Sequence, residues 1–179
     1  MTRAKVVWVA VVVAAVVTLA WSVVSAQPVG VGGISPDAFR DAVRAVERER
    51  VVREAVRAAD RYLETWNTRD PMAWARSLHF PHVRPGVGPF RLTHTSEDYA
   101  RGVNFERTIA TGWHRSQWDS YDVFQVGPNK AHLAGHYSRY NVDGEPIRTT
   151  VITYIVTRQG DHWGIQSRFA AGRADISDA

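Results

Sequence analysis

The segment from Trp113 to Ala170 constrains the fold of this chain more than any other. Four long runs of strand-forming residues are separated by three turn sequences, Gly127-Pro128-Asn129, Asp143-Gly144 and Gln159-Gly160-Asp161. Asp-Gly between two such runs is a strong hairpin signal, and short turns join antiparallel neighbours. The segment therefore predicts a four-stranded antiparallel meander.

A long helical pattern precedes the meander. Ser35-Pro36-Asp37 is typical of a helix start, with a capping Ser, Pro at the first helical position and an acid in the first turn. Apolar residues then recur at helical spacing as far as Trp66, and Asn67 begins a break. We expect one long helix, or two abutting helices, over residues 36–67.

Shorter elements lie between this helix and the meander. Turn and capping residues predict a short helix from Pro71 to about Leu78, an irregular connection from His79 to Pro89 with room for a short strand, a short strand from Phe90 to Thr95, and a helix from Ser96 to about Ala110.

These elements predict an α+β fold. Long strands twist and bend, and a bent sheet wraps its concave face around the helices. We expect a cone-shaped roll in which the long N-terminal helix and two shorter helices pack on a strongly curved, mainly antiparallel sheet with the four-stranded C-terminal meander. Such a roll encloses a pocket.

The first 26 residues have the pattern of an export segment. Arg3 and Lys5 precede the apolar run Val6 to Val24, and small residues follow at a plausible cleavage point. The run is nearly as long as the roughly 20 residues that span a bilayer, so both a cleaved signal peptide and a membrane anchor over residues 6–24 stay open. Either one predicts an exported domain, periplasmic or extracellular, because the positive end stays inside.

The rest of the chain divides by composition. Residues 27–34 are rich in Gly and Pro and predict a linker. Residues 35–50 predict a charged helical extension, which either packs on its own domain or binds a partner. We place the main domain at 51–172 and a C-terminal tail at 173–179.

Composition excludes several classes of protein. The chain has no Cys, so neither a disulfide nor a thiolate zinc site can form. Its net charge of +4 arises from mixed basic and acidic residues, which is typical of a solvated surface and argues against nucleic-acid binding.

From about Val52 to Ala171 the chain resembles the nuclear transport factor 2-like superfamily, also called SnoaL-like. Three sequences carry the resemblance: Ala59 to Asp70 (ADRYLETWNTRD), Leu78 to Arg84 (LHFPHVR) and Gly160 to Ile165 (GDHWGI). The resemblance implies a cone-shaped cavity between the sheet and the first helix. It also implies frequent homodimers through the outer face of the sheet and no obligatory cofactor. It does not imply one function.

The ketosteroid-isomerase-like branch suggests where catalytic residues would lie. Tyr62 resembles its oxyanion-donating Tyr, but no Asp or Glu occurs from Ser77 to Thr95, where the branch has its base. That departure argues against direct transfer of the mechanism. A catalytic hypothesis instead makes His82 the general base, with Tyr62 and Arg84 holding an oxyanion. Alternatively, the two His of this connection pack it and bond to backbone carbonyls.

Further residues are candidates for lining the pocket. Arg168 faces either the cavity, where it would bind a carboxylate, or a dimer interface. His132 and His136 share one side of a strand but lie roughly 13 Å apart, too far to share one ion, and we predict no metal site. The predicted pocket residues are Trp66, His79, Trp113, His136 and Arg168.

The leading functional hypothesis is an exported module that binds a small apolar or aromatic ligand or serves in assembly, without catalysis. The alternative is an isomerase, cyclase or hydrolase that uses His82. A third hypothesis is a structural protein whose charged helix, residues 37–57, binds a partner in the envelope.

Overall fold

The computed structural model describes residues 35–85 and 89–173. The predicted export segment 1–26, the linker 27–34 and residues 174–179 of the tail lie outside them. No helix in the two described ranges is long and apolar enough to cross a membrane. The elements are α1 (Pro36–Asn67), α2 (Pro71–Ala75), β1 (Leu78–Arg84), β2 (Arg91–Thr93), α3 (Ser96–Arg101), α4 (Phe105–Ile109), β3 (Arg115–Gly127), β4 (Lys130–Tyr140), β5 (Pro146–Gln159) and β6 (His162–Arg173).

The strands form one six-stranded sheet in the order β2-β1-β6-β5-β4-β3. Every pair from β3 to β6 is antiparallel, so the predicted meander and the α+β class are confirmed. Two of the three turns contain a glycine in the left-handed region, Gly144 at φ 84° and Gly160 at φ 60°. Both positions require this freedom, because side chains with a Cβ are strained there.

Strand β1 is more regular than the sequence suggested. The connection after α2, expected to be irregular, is a strand from Leu78 to Arg84 that runs parallel to β6, with Leu78 opposite Ile165. Helix α2 accordingly ends at Ala75, three residues before its predicted end. Pro81 and two His interrupt the run of strand-forming residues, so the sequence pattern did not reveal this strand. Its partner β6 lies more than 80 residues away along the chain.

The predicted helix from Ser96 to Ala110 is wrong in its continuity, because the structure has two helices there. The Thr95 hydroxyl caps α3 by accepting from the Asp98 amide at 3.1 Å. The Asn104 side chain then caps α4 by accepting from the Arg107 amide at 2.7 Å. A side chain that satisfies these free amides starts a new helix, so the chain turns at Gly102–Asn104.

Helix α1 packs on the sheet with one face of its second half. Residues 35–49 are exposed, and burial begins at Val51. Three alanines on the buried face, Ala55, Ala58 and Ala59, are fully buried. The Asn67 side chain fixes its end with two 2.8 Å hydrogen bonds, to the Ser116 carbonyl and from the Ser116 amide. The buried residues of α1 are Val51, Ala55, Ala58, Ala59, Tyr62, Leu63 and Trp66.

Strand β3 is bent where it pairs with β4. Its register shifts twice, between Trp118 and Ser120 and again between Val123 and Gln125. Bulges of this kind bend a strand and increase its twist. Gly135 of β4 lies beneath the first shift, where a Cβ would come within 2.4 Å of the Ser120 carbonyl. These shifts add twist and curvature at the β3 edge of the sheet.

Candidate functional site

A cavity of about 410 Å³ lies between the inner face of the sheet and the helices, and we call it the sheet cavity. Helix α1 supplies one wall, strands β4 and β6 another, and the segment from β2 to α4 the mouth. Its lining residues are Tyr62, Leu63, Trp66, Trp74, Arg84, Arg91, Thr93, Asp98, Tyr99, Gly102, Val103, Asn104, Arg107, Thr108, Tyr137, Arg139 and Arg168.

Aromatic rings form much of the wall. Trp66 lies edge-on to Trp74 with ring centroids 4.5 Å apart, and Trp74 contacts Tyr62 at 5.5 Å and Tyr99 at 5.2 Å. Rings in such tilted and edge-to-face contacts hold each other in place. The wall is therefore built of packed rings, and it includes two buried polar atoms without a partner among the described residues, the Trp74 indole Nε1 and the Tyr99 hydroxyl.

Arg168 is the most unusual lining residue. It lies in the middle of the sheet on β6, and only 6% of its surface is exposed. Its Nη2 donates to the Tyr137 hydroxyl at 2.7 Å, and its Nε has no hydrogen-bond partner among the described residues. No carboxylate in the described ranges pairs with it. A buried, unpaired cation is costly, since burial removes its hydration.

Tyrosines surround the Arg168 guanidinium in place of a carboxylate. Burial lowers the pKa of Arg168, but the coulombic effect of Tyr137, Tyr62 and other tyrosines, which acts when they are ionised, outweighs burial and raises that pKa well above its usual value. Burial raises the pKa of Tyr137, but the charges of Arg168 and Arg139 outweigh burial. The pKa of Tyr137 therefore falls below its ordinary value. Arg168 is therefore a permanent cation inside the protein.

Two more arginines reach the cavity from neighbouring strands. Arg139 follows Tyr137 by two residues on β4, so both face the same side, and its guanidinium carbon lies 5.4 Å from the centre of the Trp66 ring. The Nε of Arg139 is also buried without a partner among the described residues. Arg84 lines the cavity from the end of β1.

The lining is strongly electropositive. It contains five arginines, of which Arg91 and Arg107 are exposed, and its single carboxylate is Asp98. The Asp98 carboxylate is exposed and forms an ion pair with Arg101, three residues along α3. Packed rings beside a concentrated positive charge favour an anionic or strongly polarised ligand.

The predicted catalytic residues come only partly together. Tyr62 and Arg84 line the sheet cavity, whereas His82 does not. His82 is 1% exposed, and its Nδ1 lies 3.1 Å from the Ile165 carbonyl, so this nitrogen carries the proton and donates. Its Nε2 has no partner among the described residues. Burial lowers the pKa of His82 to about 4, against the Ile165 bond that raises it.

The other predicted pocket residues divide between cavity and core. Trp66 and Arg168 line the cavity. Trp113 packs beneath Trp66, with ring centroids 5.3 Å apart. His136 alternates with Tyr137, which faces the cavity, and so lies on the outer face, where its Nδ1 is 3.1 Å from the Ser120 hydroxyl.

His79 lies in a small polar cluster outside the cavity. Its Nδ1 is 2.8 Å from the Thr157 hydroxyl and its Nε2 is 2.8 Å from Nδ1 of His162. Burial, then the nearby His162 and Arg61, lower the pKa of His79 to about 4. Among the described residues no group of three or more His, Asp or Glu could hold a metal ion.

Sequence reasoning missed Tyr137 and Arg139. They alternate with His136 and Ser138 on a strand whose two faces both mix polar and apolar residues, so the pattern did not show which face is inner. The apolar Leu133 on the same face was the available sequence signal for the inner face. In the structure Leu133 is fully buried. Tyr99 was missed because it lies on a one-and-a-half-turn helix with no apolar periodicity.

A long helix packed across a curved six-stranded sheet, with a cavity between them, defines the nuclear transport factor 2-like (NTF2-like) class. A family model described as NTF2-like protein (DUF6841) matches residues 53–172, and the chain belongs to this family. The predicted superfamily resemblance is confirmed.

Solved structures with the same fold are distant in sequence. An NTF2-like protein with a cystatin-like fold from Novosphingobium aromaticivorans is 19% identical, with 82% of this chain and 95% of that chain covered and a TM-score of 0.59. An NTF2-like protein of unknown function from Shewanella oneidensis is 15% identical, with coverage of 65% and 95% and a TM-score of 0.52.

A third structure, from Catenulispora acidiphila, was determined in complex with S-DNPA. It is 14% identical to this chain, with 65% of this chain and 89% of that chain covered and a TM-score of 0.53. No curated protein matches the chain significantly. At these identities the structures share the fold, and function has to be argued from the site.

Proposed function

We propose that this protein is an exported small-molecule-binding domain whose ligand occupies the sheet cavity and is not chemically changed there. The observation that carries the proposal is the cavity itself, about 410 Å³ with a wall of packed aromatic rings. Ligand pockets have volumes of about 300–1,000 Å³ and combine an apolar lining with a few placed polar groups. The S-DNPA complex of a protein with this fold supports ligand binding in general.

The lack of a well-placed base supports binding over isomerisation. Asp98, the one carboxylate of the described lining, is exposed and paired with Arg101. A general base has to reach the proton that it abstracts within hydrogen-bond distance or through one water. A carboxylate held by a cation at the mouth is poorly suited to this task.

The alternative hypothesis of an isomerase, cyclase or hydrolase with His82 as base has one favourable observation. The proton on Nδ1 leaves Nε2 as a free lone pair, which is the form that a base needs. Two observations oppose it: His82 does not line the cavity, and its pKa of about 4 makes it a weak base. Loss of a measured turnover in His82→Asn, with ligand affinity unchanged, would support the enzyme.

Export and dimerisation complete the proposal. The basic start and apolar run of residues 1–26 support export, and alkaline phosphatase fused after Ile34 is then active only outside the cytoplasm. Exposed apolar side chains on the outer face of the sheet, Val151 and Phe169, support a homodimer through that face. They lie on the adjacent strands β5 and β6.

Native mass spectrometry tests ligand binding without knowledge of the ligand. The protein is incubated with a metabolite extract, desalted and measured intact. Val103→Trp fills the cavity, whereas Val142→Trp is a matched control, because Val142 is 76% exposed in the β4–β5 turn. We expect a bound mass on wild type and Val142→Trp and none on Val103→Trp. Equal adducts on all three, or none on any, would contradict the proposal.

A further inference from the structure

We infer that the ligand is an aromatic carboxylic acid, whose carboxylate pairs with Arg168 and Arg139 while its ring lies against the aromatic wall. This inference rests on the proposed function and names the chemical class of its ligand. It is carried by an unsatisfied buried cation that faces an open cavity.

Arg168 supplies the first half of the argument. A guanidinium has five N–H donors, and in the described structure the hydrogen bond to Tyr137 occupies only one side of it. Only 6% of the residue is exposed, so it is 94% buried, and its Nε has no hydrogen-bond partner among the described residues. A planar carboxylate can accept from such a fork through two oxygens at once.

Arg139 supplies a second cation with the same deficit. Its guanidinium lies over the Trp66 ring, and its Nε is also buried and unpartnered among the described residues. Two guanidiniums with free donors on one cavity surface repel each other, and burial strengthens that repulsion. An anion between them removes the repulsion and satisfies both.

The remainder of the cavity selects among anions. Inorganic phosphate and sulfate have no apolar part and would leave the rings of Tyr62, Trp66 and Trp74 uncovered. A flat aromatic body covers them and offsets the loss of water from the carboxylate. The exposed Arg91 and Arg107 at the mouth attract an anion before it enters.

Paired probes test the charge separately from the ring. Benzoate, 2-naphthoate, biphenyl-4-carboxylate and indole-3-carboxylate are each titrated by calorimetry beside the corresponding primary amide, and inorganic phosphate is titrated alone. We expect at least one acid to bind about ten- to hundredfold more tightly than its amide, as is usual for charge-assisted bonds. Phosphate should bind more weakly than that acid.

Three variants locate the effect. Arg168→Met and Arg139→Met should each remove the preference for acid over amide, while amide affinity stays within about threefold. Arg158→Met is the matched control and should keep the preference, because Arg158 lies at the β5–β6 turn and pairs with Asp161 at 3.1 Å. Arg139 is only half-buried, so its variant provides the test even if Arg168→Met fails to fold.

The outcomes separate this inference from the proposed function. Acids and amides that bind equally would overturn the carboxylate assignment and leave ligand binding intact. Phosphate that binds as tightly as the best acid would overturn the aromatic part. No binding by any acid overturns the inference, and the proposed function then stands or falls on the native mass spectra.

Discussion

The Arg168 guanidinium donates a 2.7 Å hydrogen bond to the Tyr137 hydroxyl across strand β5, which lies between their two strands. A neutral hydroxyl is a weak partner for a buried cation compared with a carboxylate. The pair thus leaves positive charge uncompensated at the centre of the sheet. Such a charge lowers the stability of the ligand-free protein, and a bound anion restores that stability.

Arg168→Met tests that reasoning without any ligand. Methionine fills a similar volume and removes the buried charge, so we expect the ligand-free protein to become more stable by about 1–4 kcal/mol. The measurement is the free energy of unfolding from urea denaturation at pH 7.5.

Tyr137→Phe is the informative comparison for Arg168→Met. It removes the hydroxyl but keeps the cation, so it should lower stability by about 1–3 kcal/mol. If Arg168→Met is instead destabilised as strongly as a core truncation, Arg168 is a structural residue and its charge is not a liability.

Acid should destabilise the protein through His82. The pKa of this group is about 4 when folded and about 6.5 when unfolded, so below pH 6.5 the unfolded chain takes up a proton first. The stability that depends on His82 is fully present above pH 6.5 and is lost as the pH falls towards 4. The loss that His82 contributes is about 3 kcal/mol at pH 4, and unfolding curves between pH 7.5 and 4 measure it as the difference between wild type and a variant without His82.

His82→Asn isolates that contribution, because its amide can still donate to the Ile165 carbonyl but does not titrate. We expect this variant to lose about 3 kcal/mol less than wild type over the same pH range. The exposed His94→Asn serves as control and should follow the wild-type curve. An unchanged slope in His82→Asn would show that His82 titrates normally.

Local signals explain why much of the fold was predictable. The meander follows from turn sequences that specify short antiparallel connections, and α1 from a helix start and an apolar period. Strand β1 was not predictable in the same way. A parallel pair is made by residues distant in sequence, and no short turn sequence joins its two strands. The break between α3 and α4 depends on the Asn104 cap, which the pattern from Ser96 to Ala110 did not reveal.

The site was harder to predict than the fold. Arg168 was a candidate, but alternation alone could not decide whether it faces the cavity or the outer side. Burial decides this, and burial depends on which face α1 covers. His82 was chosen because it follows α2 where relatives have a carboxylate, yet its ring bonds to a backbone carbonyl of β6. The position of His82 along the chain predicted that it lies near the cavity but not the direction of its side chain.

Deletion of residues 35–50 tests whether the start of α1 belongs to the folded unit. Residues 35–49 are exposed and the first buried side chain is Val51, so little apolar contact should be lost. We expect the melting temperature to change by less than about 4 °C, which corresponds to a loss under about 1 kcal/mol. A larger loss would show that this segment is part of the core. Retained folding with loss of a captured envelope protein would support the partner hypothesis.

Phe169→Glu tests the proposed homodimer. Phe169 is 39% exposed beside Val151 on the outer face, and a charge there should oppose burial against a second copy. Light scattering after size exclusion should show a dimer for wild type and a monomer for the variant. Phe90→Glu is the matched control, since Phe90 is 65% exposed and lies beside the edge strand β2, apart from β5 and β6. A monomeric wild type would contradict the dimer.

Indole N–H resonances give the most direct test that the sheet cavity holds the ligand. Trp66 and Trp74 line the cavity, whereas Trp163 is buried elsewhere in the core. On titration with the tightest-binding aromatic carboxylic acid, two-dimensional ¹H–¹⁵N spectra should show the Trp66 and Trp74 indole peaks shifting with saturation while Trp163 stays in place. If the ligand saturates the protein and leaves the Trp66 and Trp74 peaks unmoved, the ligand binds elsewhere and the account is wrong.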